Sequence, residues 1–451
     1  MAFYECINFV RVKLSKIMKK LQVKPSQLQG RIEIPSSKSH TLRAILFAAL
    51  ADGKSCIESF LLSPDAYAMI AACRAFGAEI SLTEAENRLD ITGVSGQPKQ
   101  PDNILDAGNS GQVLRFVGAI LGLIPGYSVM TGDHSVRFNR PAQPLIEGLK
   151  QLGAECVAMK GDNHAPLIIR GPLQGNYARI DGQDSQPVSA LLIASVFIAG
   201  ETEIIVDQPG ELPWVDLTLS WFDRLGLAYQ REGYTRFVIP GVQKMTGFNY
   251  RVPGDFSSLA YPVAAALVTQ STVTIDNVDL ADAQGDKKLL DVLVKMGANF
   301  EYDANGKSLQ VLAVEKLQGV SFDINEFIDA VTIMAVVACY AEGQTIISGA
   351  SIARQKESNR LAAITAELQK LGADIKETAD GLSIVGGQKL VNQKNLQGYH
   401  DHRIVMSMAI AALAATGECE IAGSECVAKS YPSFVEQMQV LGVDMRELTC
   451  A

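Results

Sequence analysis

Six times along the 451 residues, a helix-like stretch ends in an apolar residue and a glycine and is followed at once by a short strand-like run. The copies read FGAEI, LGAEC, LGLAY, MGANF, LGADI and LGVDM. Their glycines (Gly77, Gly153, Gly226, Gly297, Gly372 and Gly442) stand 76, 73, 71, 75 and 70 residues apart. So even a period marks a chain built by repeating one supersecondary unit. Glycine suits the end of a helix because it adopts the left-handed conformation without steric penalty. Upstream of each glycine lies a segment rich in Ala, Val, Ile and Leu, at 40–52, 110–122, 185–199, 257–269, 329–342 and 402–416. In the first, Leu42, Ile45, Leu46, Ala49 and Leu50 recur at helical spacing. With so few charges, these helices are expected to be buried on most sides.

Strand-like runs such as RIEI, TEIIV, RFVIP and TVTI, and charged helices such as KKLLDVLVKM and NRLAAITAELQKL, fill the rest of each unit. An α/β fold with two helices and several strands per unit follows. Six units divide into two sets of three, and GFNYRVPGD interrupts the pattern near residue 250. The expected organisation is an N-terminal extension at 1–21, a first domain at 36–250, and a second domain made of 22–35 with 251–451. The opening strand within 22–35 is expected to pair with the C-terminal half, and a ligand to bind between the halves.

A hydrophobic content of 47% is enough for large cores. With 40 basic against 49 acidic residues, a broad polyanion-binding surface is excluded and nucleic acid is not an expected partner. Eight cysteines without a CxxC pair fit a reduced cytoplasm and no zinc site. No run is apolar enough to span a bilayer, so no membrane partner is expected, and the chain is read as a monomer. The first twenty residues lack a signal-peptide core and read as an appendage, with Met18 a natural start.

The segments preceding the apolar helices carry the chemistry. They read SSKS (36–39), DAGNSG (106–111), DGQDSQ (181–186), PGDFSS (253–258), FIDA (327–330) and YHDHR (399–403). Ser, Asp and Asn are ordinary helix caps. Lys38, Arg43, Arg115 and Arg403 are not, since cations sit badly against the positive end of a helix. A bound anion resolves the conflict. Further cations stand in loops: Arg137 and Arg140, then Arg354, Lys356 and Arg360 around Glu357, and Lys429. If the repeats aim several entrances into one cleft, the ligand is a small polyanion.

At these residues the chain resembles the 5-enolpyruvylshikimate-3-phosphate synthases. The marks are SKSxxxR at 37–43, GNSG with Arg115, RP at 140–141, SQ at 185–186, PGDxSS at 253–258, Asp329, KExxR at 356–360, DHR at 401–403 and AKSYP at 428–432. The resemblance runs from about residue 20 to 440 and implies two domains of three βαβαββ units each, an inside-out α/β barrel arrangement. It implies transfer of the enolpyruvyl group of phosphoenolpyruvate to the 5-hydroxyl of shikimate 3-phosphate, without metal or organic cofactor. By matched position, Lys38, Gly111, Arg140, Gln186, Arg360, Arg403 and Lys429 are expected around phosphoenolpyruvate. Lys38, Ser39, Arg43, Ser185, Gln186, Asp329 and Lys356 are expected around shikimate 3-phosphate. Asp329 is the expected base for the attacking hydroxyl, and Glu357, assisted by Lys38, the expected acid; capping the apolar segment AVTIMAVVACY and pairing with Lys356 or Arg354 are their respective structural alternatives. His402 is expected to line the site, while His400 is left open.

Departures fall in the same region. Gln112 stands where the family has threonine, Asp184 and Glu211 where it has serines near the acceptor phosphate, and Trp214 where tyrosine is common. Two carboxylates there repel a phosphate unless they point away or bind neighbouring cations. Gln112 also narrows the space beside Gly111, where altered sensitivity to the family's inhibitor glyphosate is expected. Two other functions compete. UDP-N-acetylglucosamine enolpyruvyl transferases resemble this chain less, since they carry a Lys-Asn pair at the first helix and a loop cysteine, where this chain has Lys38-Ser39 and no cysteine in 131–141. A non-catalytic anion-binding relative is disfavoured by Lys38, Asp329 and Glu357.

Overall fold

The computed structural model describes residues 19–449; the expected start at Met18, together with Cys6 and Cys450, lies outside the described residues. Six apolar helices, labelled in chain order, match the six segments: α1 (Lys38–Leu50), α2 (Gly111–Leu121), α3 (Ser185–Ser195), α4 (Phe256–Val268), α5 (Val331–Tyr340) and α6 (His402–Ala412). Every residue of α4 and α6 is buried, as an all-round apolar helix requires. Each is followed by an outer helix, from Pro64–Ala75 in the first unit to Phe434–Val440 in the last. The six repeat glycines close these outer helices with φ between 68° and 110°, the left-handed region that the motif anticipates.

Six separate four-stranded sheets share one plan: a short strand parallel to a central strand, then two antiparallel neighbours. Leu105–Asp106, for example, runs parallel to Tyr127–Thr131, which pairs antiparallel with Leu167–Arg170, and that in turn with Glu155–Ala158. Two sheets borrow strands from the N-terminus. The single strand expected within 22–35 is two strands, Lys19–Val23 and Gln29–Glu33, separated by a stretch holding Pro25, which has no N–H to give a ladder. The first lies between Cys419–Ala422 and Met445–Thr449, and the second runs parallel to Thr272–Asp276. The strand begins at Lys19, inside the stretch 1–21 read as an extension, because Leu21 and Val23 bury on alternate positions.

The buried apolar side chains fall into two clusters, giving two α/β domains. One runs from Leu42 to Val252; the other joins Leu21–Ile34 to Phe256–Met445. In the second, α4, α5 and α6 pack against one another. Each fully buried Leu or Ile there contributes about 1.5–3 kcal/mol. Two helix starts differ from expectation by two residues: α1 begins at Lys38 rather than at 40, and α5 begins late. Residues Asn325–Ala330 form a 3-10 turn with Phe327 at φ −139° and ψ 45°, so α5 begins at Val331 rather than at 329. Its N-cap is Ala330, which makes no side-chain cap bond, and Asp329 is therefore free of the capping role. Among the described residues no helix is long and apolar enough to cross a membrane.

Candidate active site

Five helix entrances are capped by the side chains the sequence places there. Ser37 caps α1, Ser110 caps α2, Asp184 caps α3, Asp255 caps α4 and Asp401 caps α6. Asp255 also accepts from the Lys38 backbone N–H at 3.1 Å, tying the entrance of α1 to that of α4 across the two halves. The entrances of α1, α2, α3 and α6, with the turn before α5, converge on one cavity, whereas the entrance of α4 does not line it. Lys38, Ser39, Gly111, Ser185 and Gln186 line it from the first half, and Asp329, Lys356, Glu357, Arg360 and Arg403 from the second. Arg140 and Lys429 reach its wall through Glu357, and Arg43 lies one turn inside α1. Arg354 instead pairs with Glu377 away from the cavity, while His400 lines a wider opening beyond Glu357 and Lys429. His402 lines the cavity, with both ring nitrogens buried and without a hydrogen-bond partner, its Nδ1 3.7 Å from Asp401. Among the described residues, no group of His, Cys, Asp and Glu side chains is placed to hold a metal ion.

The cations are held by the chain's own carboxylates. Arg360, 1% exposed, donates to Asp329 Oδ1 at 2.8 Å, Glu357 Oε2 at 2.7 Å and Asp401 Oδ2 at 2.9 Å. Arg403 donates to the other oxygen of Asp329 at 2.8 Å. Glu357 Oε1 receives Lys429 Nζ at 2.5 Å and Arg140 Nη2 at 3.0 Å, so this acidic side chain joins both halves. Its backbone carbonyl accepts from Ser135 Oγ at 3.2 Å and Asn139 Nδ2 at 3.1 Å. Lys38 Nζ stands 3.8 Å from Asp65. Arg43 differs from the rest. It bonds Thr218 Oγ1 and the carbonyls of Ser39 and Trp214, yet no carboxylate among the described residues is within ion-pairing distance.

Electrostatics follow from this geometry. Burial pushes the Asp329 carboxyl up, but Arg403 and Arg360 outweigh burial and hold it far below the usual range. Glu357 is likewise held well below its ordinary value: burial opposes this, and Arg140, Lys429 and Arg360 overcome it. Burial pulls His402 well below 6.5, with Arg403, Lys38 and Lys429 acting in the same direction against Glu357. Burial also lowers Arg43. Both central carboxylates are therefore ionised near neutral pH, serving as counter-ions to these cations.

Gly111 lines the cavity at the entrance of α2. A Cβ there would lie 2.9 Å from Arg115 Nη1, 3.0 Å from Arg140 Nη1 and 3.2 Å from Gln186 Oε1, so any side chain at this position would push the ends of these three groups from where they converge. The two unexpected carboxylates do not point away. Asp184 pairs with Arg115 at 2.9 Å, and Glu211 with Lys356. Several participants had no role assigned from sequence. Asn109 receives Lys429 Nζ at 2.6 Å on its side chain, and Asp401 is buried against Arg360; both sit inside motifs that were recognised as GNSG and DHR. Asp65, which faces Lys38, belongs to no such motif.

The family model described as EPSP synthase (3-phosphoshikimate 1-carboxyvinyltransferase) matches residues 23–438. A 3-phosphoshikimate 1-carboxyvinyltransferase of Acetivibrio thermocellus is 40% identical over 425 residues, covering 94% of this chain and 99% of that one. The protein of the same name from Methanothrix thermoacetophila is 41% identical over 433 residues, covering 95% and 100%. A solved EPSP synthase from Acinetobacter baumannii superposes with a TM-score of 0.80 at 28% identity, covering 96% of this chain and 100% of that one. With the cleft, the repeats and the motifs in agreement, the chain belongs to the EPSP synthase family.

Proposed function

We infer that this cleft transfers the enolpyruvyl group of phosphoenolpyruvate to the 5-hydroxyl of shikimate 3-phosphate and releases phosphate, the reaction of the family. The observation that carries the residue-level reading is the buried chain Arg403–Asp329–Arg360–Glu357–Lys429, two carboxylates strung between three cations. In this reading Lys38, Gly111, Arg140, Gln186, Arg360, Arg403 and Lys429 hold phosphoenolpyruvate, and Ser39, Arg43, Ser185, Gln186 and Lys356 hold the acceptor. Glu357, helped by Lys38, gives a proton to C3 of phosphoenolpyruvate, which leaves C2 electron-poor. The acceptor oxygen attacks C2 as Asp329 takes its proton. The Glu357 carboxylate then takes a proton back from the new methyl group, which restores the double bond and expels phosphate. No metal or organic cofactor enters.

Substrate binding switches the carboxylates. Phosphoenolpyruvate competes with Asp329 and Glu357 for Arg360, Arg403, Arg140 and Lys429 and adds negative charge beside them. Losing the cations that keep them ionised, both carboxyls rise in pKa. Asp329 becomes a stronger base and Glu357 takes up a proton. Binding is thus expected to absorb protons near neutral pH and to weaken as pH rises; calorimetric titrations in buffers of different ionisation heat measure this, and net proton release would contradict it.

The two halves, 36–250 and 19–35 with 251–449, are proposed as the domains that close on this cleft. A cytoplasmic monomer acting only on small molecules fits the acidic balance and the six described cysteines, all free. The test is phosphate release from phosphoenolpyruvate: turnover with shikimate 3-phosphate and none with UDP-N-acetylglucosamine is expected. Turnover with the nucleotide sugar alone would assign the rival transferase, and none with any acceptor would favour a non-catalytic relative.

A further inference from the structure

The entrance of α3 offers what an anion binds: a free helix N–H, a hydroxyl, an ammonium and a guanidinium. All four are already taken by the chain. Glu211 Oε2 accepts from Ser185 N at 3.1 Å and Ser185 Oγ at 3.0 Å, while Oε1 accepts from Lys356 Nζ. Asp184 accepts from Gln186 N at 3.0 Å and pairs with Arg115 at 2.9 Å. Glu211 is 1% exposed and stands at φ 48°, ψ 41°, a left-handed conformation that few non-glycine residues hold without support. The support crosses the cleft: its backbone N–H donates to Asn325 Oδ1 at 2.8 Å.

We propose that Glu211, with Asp184, is a resident anion that sets acceptor choice, so that shikimate, the unphosphorylated ring acceptor, is turned over alongside its 3-phosphate. This rests on the reaction assigned above. A phosphate brought to these donors must displace Glu211 and Asp184 from Ser185, Lys356 and Arg115, which already hold them as neutralised pairs. A ring hydroxyl at the same place donates to Glu211, a charge-assisted hydrogen bond. Arg43, buried and bonded only to Thr218 and two backbone carbonyls, has no carboxylate partner among the described residues, which leaves its charge to be matched by the acceptor's ring carboxylate. The pocket therefore keeps its need for the acceptor's carboxylate while losing its demand for the phosphate.

The experiment compares kcat/KM for shikimate and shikimate 3-phosphate in the native enzyme, in Glu211→Gln, which keeps the shape, and in Glu211→Ser. Native turnover of shikimate within about tenfold of the phosphorylated acceptor is expected. In both variants the ratio should move toward the phosphorylated acceptor by about a hundredfold, through acceptor KM, with the KM of phosphoenolpyruvate unchanged. Native preference for the phosphate above about a thousandfold, or a ratio unmoved in both variants, would overturn the inference. Calorimetric titration of both acceptors onto the native enzyme and Glu211→Gln reads the same preference without chemistry. Should no product form with either acceptor, the assigned reaction fails, while a like shift of binding preference would still support the role of Glu211 and its absence would overturn it.

Discussion

Replacing Asp329 by asparagine is expected to lower kcat by about a hundred to ten thousandfold, the usual contribution of a positioned proton acceptor. The side chain keeps its shape but can no longer take the proton of the attacking hydroxyl. Binding should move the other way. Asp329 neutralises Arg360 and Arg403 at 2.8 Å each, so removing its charge frees two guanidiniums for phosphoenolpyruvate. The substrate is then expected to bind as tightly as before or more tightly. Steady-state kinetics with a parallel titration separate the terms. If Asp329 were only a counter-ion, binding and stability would change while kcat stayed within tenfold or so of the native value.

The second large effect concerns Arg360. Its three carboxylate partners are all buried or half-buried, and Arg360→Met leaves Glu357, Asp329 and Asp401 with fewer compensating charges. Removing one partner from a buried pair costs about 3–5 kcal/mol. The same change should raise the dissociation constant of phosphoenolpyruvate about a hundred to a thousandfold. The stability deficit depends on pH with a definite sign. Asp329 and Glu357 have folded pKa values depressed below their unfolded ones, so their pairing stabilises above about pH 4 and is lost as pH falls. Melting curves of native and variant enzyme should be furthest apart near neutrality and converge in acid. A gap that widened below pH 4 or so would contradict the assignment of these charges.

Much of this architecture is legible before any coordinate is known, because its rules are local. The left-handed glycine after each outer helix and the apolar composition of α1 to α6 are properties of short segments, and they set the number of units and the positions of the caps. The N-terminal strands were harder. Leu21 and Val23 show their alternation, but only tertiary pairing reveals that Lys19–Val23 fills a sheet otherwise made of residues beyond 395. The start of α5 was misplaced by two residues because Phe327 breaks the helical path, and no propensity rule marks a phenylalanine as a kink.

The site divides in the same way. Residue types at the entrances announce an anion cleft, since cations oppose the helix dipole there. Their partners are invisible in the sequence: Glu211 and Lys356 are 145 positions apart, and Lys429 and Asn109 are 320 apart. A carboxylate beside a basic motif reads as repulsive until the fold shows it bonded to the very cation it accompanies. That pairing turns an apparent misfit at Asp184 and Glu211 into a prediction about specificity.

The division of proton work between Glu357 and Asp329 is tested most directly by running the reaction in deuterium oxide and examining the product by mass spectrometry and proton NMR. If Glu357 protonates C3 and a methyl proton is later lost, deuterium must appear in the vinyl methylene of the product, and Glu357→Gln must abolish turnover and incorporation together. Product formed at the native rate without deuterium in that methylene would mean that C3 is never protonated, and the account of the cleft would be wrong.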